Sequence, residues 1–474
     1  MTVSEQATEP GTVTDADVGL LAREFRGPLL RRDDPGYDPA RVIWNAMHDR
    51  RPALIAQCTG VADVVAIVRF ARDGGWHPSI RGGGHGAPGY AVCDGDIMID
   101  LSRLRGVRVD AGRRAARVGA GATWGEFDRE AQLFGLAVPG GTVSTTGVAG
   151  LTLGGGYGWL TRKHGLTLDS LLSVDLVTAD GSAITVSRDS DPELFWAIRG
   201  GGGNFGVVTS FEFGLHDVGP TVLGGTLAWP FDQAPEVLRT YRDFGIQTPE
   251  ELGLSAYLMH APAFAPFPTE LWDQPALLIV VCFNGPIEEG EALLRPLRAA
   301  GRPALDLIGP VSYTDQQQVL EGTGAAQFGH RSHWKSGYIK NLTDAAIDEF
   351  VAQSGRATSK LTIAELSTID GAANRVDPSE TSCAKRGGRW NHVQITCWDD
   401  PREDAQQVAY ARSVAAAMAP HYDGGVYVNF LDVVDQGQIP EAYEEGAWSR
   451  LRAAKRRVDP ANLFRRNQNI PPAD

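Results

Sequence analysis

Arg81-Gly82-Gly83-Gly84-His85-Gly86 decides how this chain is read, because a strand-like run over residues 77–80 feeds straight into it. Two further clusters echo it, GGTVSTTGVAGLTLGGGYG over residues 140–158 and RGGGGNFG over 199–206. The 56 glycines are gathered in such clusters against apolar sequence rather than spread as linkers. Glycine set against ordered sequence marks backbone that approaches a ligand closely or turns with positive φ. Successive N–H groups in such loops suit a phosphate or ring cradle. His85 is the one side chain with chemistry in its loop, where no core needs it and a ligand can come near.

Two clusters match the dinucleotide fingerprint in spelling. Gly201-Gly202-Gly203-Asn204-Phe205-Gly206 reads GxGxxG, and Gly82-Gly83-Gly84-His85-Gly86-Ala87 reads GxGxxA. The fingerprint works only when a strand leads into the glycines and a helix leads out, with its N-terminus on the pyrophosphate. Here the first leads into residues 207–213, a strand pattern. The second leads into Pro88-Gly89-Tyr90, which cannot open a long helix. Both fail on context, which argues against a Rossmann fold, and no P-loop is present.

Outward from these loops, the first half alternates strand and helix. Strands are predicted over residues 53–57, 77–80, 96–101, 115–118 and 207–213, and helices over 18–25, 61–73 and 124–133. Residues 172–178 and 183–186 flank Ala179-Asp180-Gly181, a hairpin-type turn. After His216 the glycine clusters thin out. Helical stretches over 236–244, 287–299 and 343–354 alternate with apolar strands over 276–283 and 392–398, a pattern for an α+β domain with an antiparallel sheet backed by helices. A basic helix over 447–457 ends at Asp459-Pro460.

Composition narrows the function classes. The 474 residues suffice for two packed domains, and a formal net charge of −14 disfavours nucleic acid and anionic membrane as partners. The five cysteines are widely spaced with no CxxC, so no metal site is expected and a reducing compartment fits. The first residues lack the basic and apolar regions of an export signal, and no apolar run reaches membrane-spanning length. A cytoplasmic enzyme acting on a small molecule is the expectation.

Five motifs taken together, RGGGHGAPGYAVCDG, VPGGTVSTTGVAGLTLGGGYGWLTRKHGL, ELFWAIRGGGGNFGVVTSFEF, YVNF and DPANLFRRNQNIPP, resemble the berberine-bridge-enzyme-like branch of the vanillyl-alcohol-oxidase flavoproteins, from about residue 41 to 472. The resemblance implies an α+β protein. An N-terminal lead and helix (1–40) precede a two-lobed FAD-binding domain of the PCMH type (41–216). A substrate-binding domain (217–420) and a C-terminal segment returning to the FAD domain (421–474) follow. It implies a covalent bond from His85 to the flavin 8α-methyl carbon. Val143 stands where many relatives carry a second, cysteine link, so attachment is expected through His85 alone. The matched cofactor-binding positions are Arg81, Gly82, Gly83, Gly84, Gly86, Gly140, Gly141, Thr142, Thr145, Thr146, Gly147, Gly150, Leu151, Gly154, Gly156, Tyr157, Gly203, Asn204, Gly206, Val207, Asn429, Asn467 and Gln468. Thr146 and Leu151 are expected near the flavin edge where dioxygen reacts, with Thr146 in place of the commoner valine.

Two residues compete as the base that such an oxidation needs. Tyr427 matches a tyrosine that acts as base in several sugar and alcohol oxidases of the family, yet it could equally pack within a strand rich in Val and Phe. Its phenol, ordinarily near pKa ~10, would need a cation or the cofactor to lower it. Glu365 sits in Leu361-Thr362-Ile363-Ala364-Glu365-Leu366, where alternation points it to the same face as Leu361 and Ile363. A carboxylate there is costly unless used, and burial raises its pKa toward a working range. It matches a glutamate acting in a similar flavoprotein of enterocin biosynthesis, which oxygenates through a flavin-N5-oxide. Tyr257, Lys335 and Tyr338 are expected pocket residues on the same likeness. Thr381-Ser382-Cys383-Ala384-Lys385-Arg386 and Asp370-Gly371-Ala372 depart from the family pattern, so substrate identity does not carry over. Three functions follow: an oxidase releasing hydrogen peroxide from O2 while acting on a secondary metabolite, sugar or amine; a monooxygenase; and a non-catalytic flavin-binding protein, which would leave Glu365 unexplained.

Overall fold

Leu54–Gln57 and Ile97–Asp100 are apolar on both faces and pair in parallel, with Ser79–Arg81 parallel on the far side and the two-residue strand Leu29–Leu30 antiparallel on the near side. Helix Val61–Asp73 makes the crossover, as its periodicity predicts, burying Val64, Ile67, Val68 and Ala71 on one stripe. This computed structural model describes residues 13–323, 326–383 and 386–474. The lead residues 1–12 and Ala384-Lys385 of the departing segment therefore lie outside the described residues.

A second, five-stranded antiparallel sheet runs in the order Val107–Asp110, Ala115–Gly119, Val207–Gly214, Leu171–Val177, Ala183–Ser187, so the predicted hairpin forms. The two sheets share one core, and the first and second glycine clusters meet where Gly83 touches Gly147. The first helix runs Asp15–Leu21 rather than over 18–25, because Thr14 and Asp17 form a capping box that fixes an earlier start. The strand Val107–Asp110 was not anticipated: its alternation is carried by Val107 and Val109 alone, with Arg and Asp between.

The second half is an eight-stranded antiparallel sheet in which Leu252–His260, Ile363–Thr368, Trp390–Trp398 and the edge strand Arg331–Ile339 follow one another in that order. Helices Ala234–Gln247, Asp344–Ser354 and Asp404–Met418 cover one face. The other face carries Tyr257, Ile363, Val393 and Ile395 and turns toward Trp159, Leu160 and Phe430 of the first half and C-terminal segment. The result is a two-domain α+β fold with the site between sheet and glycine loops.

The C-terminal segment returns to the first core through Val428, Leu451, Phe464 and Ile470. Its anchor is Lys455, fully buried, whose ammonium donates to the carbonyls of Asn204 and Phe464 at 2.7 and 3.0 Å and pairs with Asp459 at 2.6 Å. Asp459 in turn accepts from the N–H groups of Leu463 and Phe464. Every partner in this network is satisfied, so removing one leaves a charge buried alone. Lys455→Ala is expected to cost about 3–5 kcal/mol, read by denaturant unfolding. Lys455→Ala with Asp459→Ala should cost less than the single change.

Candidate active site

The glycine loops, the exposed face of the large sheet and the C-terminal segment enclose a cavity of about 320 Å³. Its lower wall is backbone. Gly82, Gly83, Gly84 and Gly86 come from the first cluster, Gly141, Gly147 and Gly150 from the second, and Gly203 and Gly206 from the third. Gly83 and Gly147 touch so closely that a Cβ on Gly83 would sit 2.5 Å from the Gly147 Cα. Gly84 has φ +69°, a left-handed turn that delivers His85 to the cavity. A Cβ at Gly86 or Gly150 would meet no atom within 4 Å, so each leaves its backbone bare to the cavity.

His85 Nε2 is buried with no hydrogen-bond partner, and burial pushes its pKa down to about 4, leaving a neutral imidazole. Thr142, Val143, Thr146, Leu151, Asn467 and Gln468 line the same cavity. An orphaned neutral imidazole together with a bare glycine cradle fits a phosphate-bearing ring cofactor.

The upper wall comes from strand alternation. Ile363 and Glu365 face the cavity, with Tyr257 directly across from Glu365 in the next strand and Ile395 across from Ile363. Glu365 is only 6% exposed. Burial lifts its carboxyl to about 7, against a hydrogen bond from the Ser367 hydroxyl that pulls it down. The Tyr257 hydroxyl is buried without a partner. Trp334 and Phe430 close the wall edge-to-face at 5.0 Å, and Tyr157 and Phe430 both pack against Tyr427.

Tyr427 does not lie in a strand, as its Val- and Phe-rich setting suggested. It precedes a 3-10 turn, Val428–Phe430, because its hydroxyl oxygen is drawn to the Gly156 N–H at 2.7 Å and the Asn429 amide at 3.0 Å. Burial pushes its phenol well above the usual range despite those two donors. Tyr157, whose hydroxyl accepts from Asn391 at 2.8 Å, is raised by burial and then by Glu365.

Nine predicted site residues lie outside the cavity lining. Arg81 is spent on Asp100 and on the carbonyls of Ala40 and Val42. Gly140 makes room for the Trp124 ring, Gly154 for the Asn429 amide and Gly156 for Thr167. The Thr145 hydroxyl binds the Ala326 carbonyl. Asn204 ties Gly201 to Gln468 and Ile470, and Val207 is a fully buried strand residue. Lys335 pairs with Gln394 and so shares the register of Ala364, on the face opposite Trp334 and Ile395. Tyr338 has the right parity but stands against Gly388, beyond the lining.

Sequence reasoning missed Ile395 and Phe430, although the alternation that placed Glu365 would have paired Ile395 with Ile363 once the strands were aligned; within the run from His333 to Tyr338 the residue that lines the cavity is Trp334. It also missed Arg466, which lines the cavity while bound to Asp96 at 2.8 Å. The rejected fingerprints behave as their context required: Gly202–Asn204 is a 3-10 turn leading into strand Val207–Gly214.

Comparison with known proteins agrees with this geometry. Residues 52–187 match the FAD binding domain family, and residues 426–471 the family described as berberine and berberine like. The chain is 32% identical over 460 residues to (R)-6-hydroxynicotine oxidase of Paenarthrobacter nicotinovorans, covering 94% of this chain and 97% of that one. It is 31% identical over 456 residues to the uncharacterized FAD-linked oxidoreductase YgaK of Bacillus subtilis, covering 95% and 98%. The crystal structure of 6-hydroxy-D-nicotine oxidase from Arthrobacter nicotinovorans superimposes with TM-score 0.84 at 30% identity, covering 95% and 98%. No helix among the described residues is long and apolar enough to cross a membrane. With both family segments, full-length relatives and a cradle that fits the cofactor, this chain belongs to the berberine-bridge-enzyme-like FAD-linked oxidoreductases.

Proposed function

We propose that this oxidoreductase is an oxidase that carries FAD on a single bond from His85, takes a hydride from a small organic molecule and passes the electrons to dioxygen. Bound FAD supplies the two-electron acceptor. The observation that carries the reading is Glu365, a carboxyl 6% exposed in an otherwise apolar wall and poised at about pKa 7. A group so placed takes the proton of a substrate O–H or N–H when its hydride leaves. Tyr427 stays protonated and acts as a wall and donor, because burial holds its phenol far above neutrality. Trp334, Phe430, Ile363 and Ile395 exclude water around the reacting atoms. That wall suits a largely apolar ring system with one O–H or N–H, presented to Glu365 and Tyr257, better than a sugar whose many hydroxyls would need partners.

The relative (R)-6-hydroxynicotine oxidase supports an amine-bearing aromatic as the first substrate to try. A panel of hydroxylated aromatic amines, phenols and oligosaccharides tests the reading. Anaerobic bleaching of the flavin by a ring compound, and one hydrogen peroxide per substrate in air, is the expected result. Bleaching only by oligosaccharides would overturn the substrate class. Val143 and Thr146, both in the lining, favour a monooxygenase as the second reading. Labelled oxygen in the product, with no peroxide, would establish it instead.

A further inference from the structure

The His85 loop has glycine on both sides, so it supplies no side chain of its own to hold the imidazole. The ring is held from outside. Trp44, fully buried, stacks on it with centroids 4.9 Å apart and planes at 19°, and Phe328 meets it edge-on at 6.2 Å. Trp334 packs edge-to-face on the other side of Trp44 at 5.6 Å. Trp44 belongs to a segment that precedes the matched FAD binding domain.

That segment braces the loop at each turn. The Trp44 backbone N–H donates to the Gly84 carbonyl at 3.0 Å. Asn45, 1% exposed, donates to the Ala87 carbonyl at 2.7 Å and the Ser332 carbonyl at 2.8 Å, and accepts from the Ser332 N–H at 2.9 Å. His48 reaches Ala87 at 2.9 Å, and Arg50 reaches Gly89 and Val92 at 2.9 and 3.0 Å. The segment thus clips the His85 loop to the substrate-domain strand Arg331–Ile339.

We infer that Trp44 is a positioning residue for covalent attachment, holding the His85 ring in the one orientation from which it can bond the cofactor. The inference rests on the His85 reading above. Bond formation joins an imidazole nitrogen to the 8α carbon, with loss of one methyl hydrogen and the imidazole N–H hydrogen. Those two hydrogens and the electron pair reduce the ring system, and dioxygen then removes them as hydrogen peroxide. Such a step needs the nitrogen held within about 3–3.5 Å and aligned. Flanking glycines add no side chain that would select among the staggered rotamers of the imidazole, so a flat neighbour is what sets its plane. A stacked aromatic face aligns the ring, whereas an aliphatic side chain of similar bulk offers no face to stack on.

The test compares wild type, Trp44→Phe and Trp44→Leu as purified holoproteins. It measures FAD per chain, melting temperature by circular dichroism, and the share of flavin that stays with the chain after acid precipitation. Trp44→Leu is expected to keep its FAD content while the covalent share falls at least tenfold, and Trp44→Phe to keep at least half. An equal covalent share in all three would overturn the inference, as would a loss in Trp44→Leu that Trp44→Phe does not restore. Should Trp44→Leu not fold, Trp44→Met decides: a covalent share down at least tenfold at unchanged FAD content supports the inference, and an unchanged one overturns it. Wild type with no covalent flavin would instead overturn the His85 reading itself.

Discussion

Glu365→Gln should slow anaerobic flavin reduction by about 10²–10⁴-fold, the range general-base catalysis contributes. The wild-type rate should rise with pH through about 7 and level off above it, because the carboxyl must be ionised to accept the proton. The variant should lose that limb. Tyr427→Phe serves as the control, with a fall of less than about tenfold, since a phenol raised by burial is no base at neutral pH. A large fall in Tyr427→Phe with little change in Glu365→Gln would reverse the assignment.

The same substitution has a stability signature that follows from burial of the carboxyl. Glu365 is raised in the fold above its unfolded value, so its contribution is fully present below about pH 4.5 and lost as pH rises through about 7. The loss across that window is of order 3 kcal/mol, from roughly 1.4 kcal/mol per unit. Gln does not ionise, and the Ser367 hydroxyl can still donate to its amide oxygen. The variant should therefore be more stable than wild type at pH 8 and show no gain at pH 5, in denaturant unfolding at both. A carboxylate that weakens the fold at working pH is kept for what it does.

How much of this was legible differs from element to element. Strand Ile363–Thr368 could be read because alternation alone puts Glu365 beside Ile363, whatever the rest of the sheet does. Helix Val61–Asp73 carried its own stripe. Helix Val148–Gly154 could not be seen: it lies in a glycine-rich run, with Gly147 at its N-cap and no side-chain cap, and holds its shape by burying Val148, Ala149 and Leu153. Tyr427 read as strand because Val-Tyr-Val has that propensity, but contacts with Gly156, 271 positions away, outweigh it. The glycine motifs marked the cavity floor but not which glycines face it. Gly140, Gly154 and Gly156 serve the packing of Trp124, Asn429 and Thr167, and nothing in their spelling separates them from Gly141 or Gly150. Lys335 and Trp334 were one residue apart, and one residue decides the face of a strand.

His85→Ala should move all of the flavin from the acid-precipitated pellet into the supernatant, where wild type is expected to keep its yellow colour in the pellet. The native variant should still bind FAD, because the floor of Gly82–Gly84, Gly147, Gly150 and Gly203, with Asn467 and Gln468, does not depend on the imidazole. What changes is the kind of equilibrium: a bound cofactor now leaves on dilution, and its occupancy follows a Kd. The cut also uncovers the face of Trp44 and leaves a small void, at about 1–3 kcal/mol in the apoprotein. Val143 offers no sulfur to make a second link, so a single substitution suffices to abolish attachment. Flavin that stayed in the pellet of His85→Ala would mean another residue carries it, and the neutral, partnerless imidazole in the cavity wall would then need a different explanation.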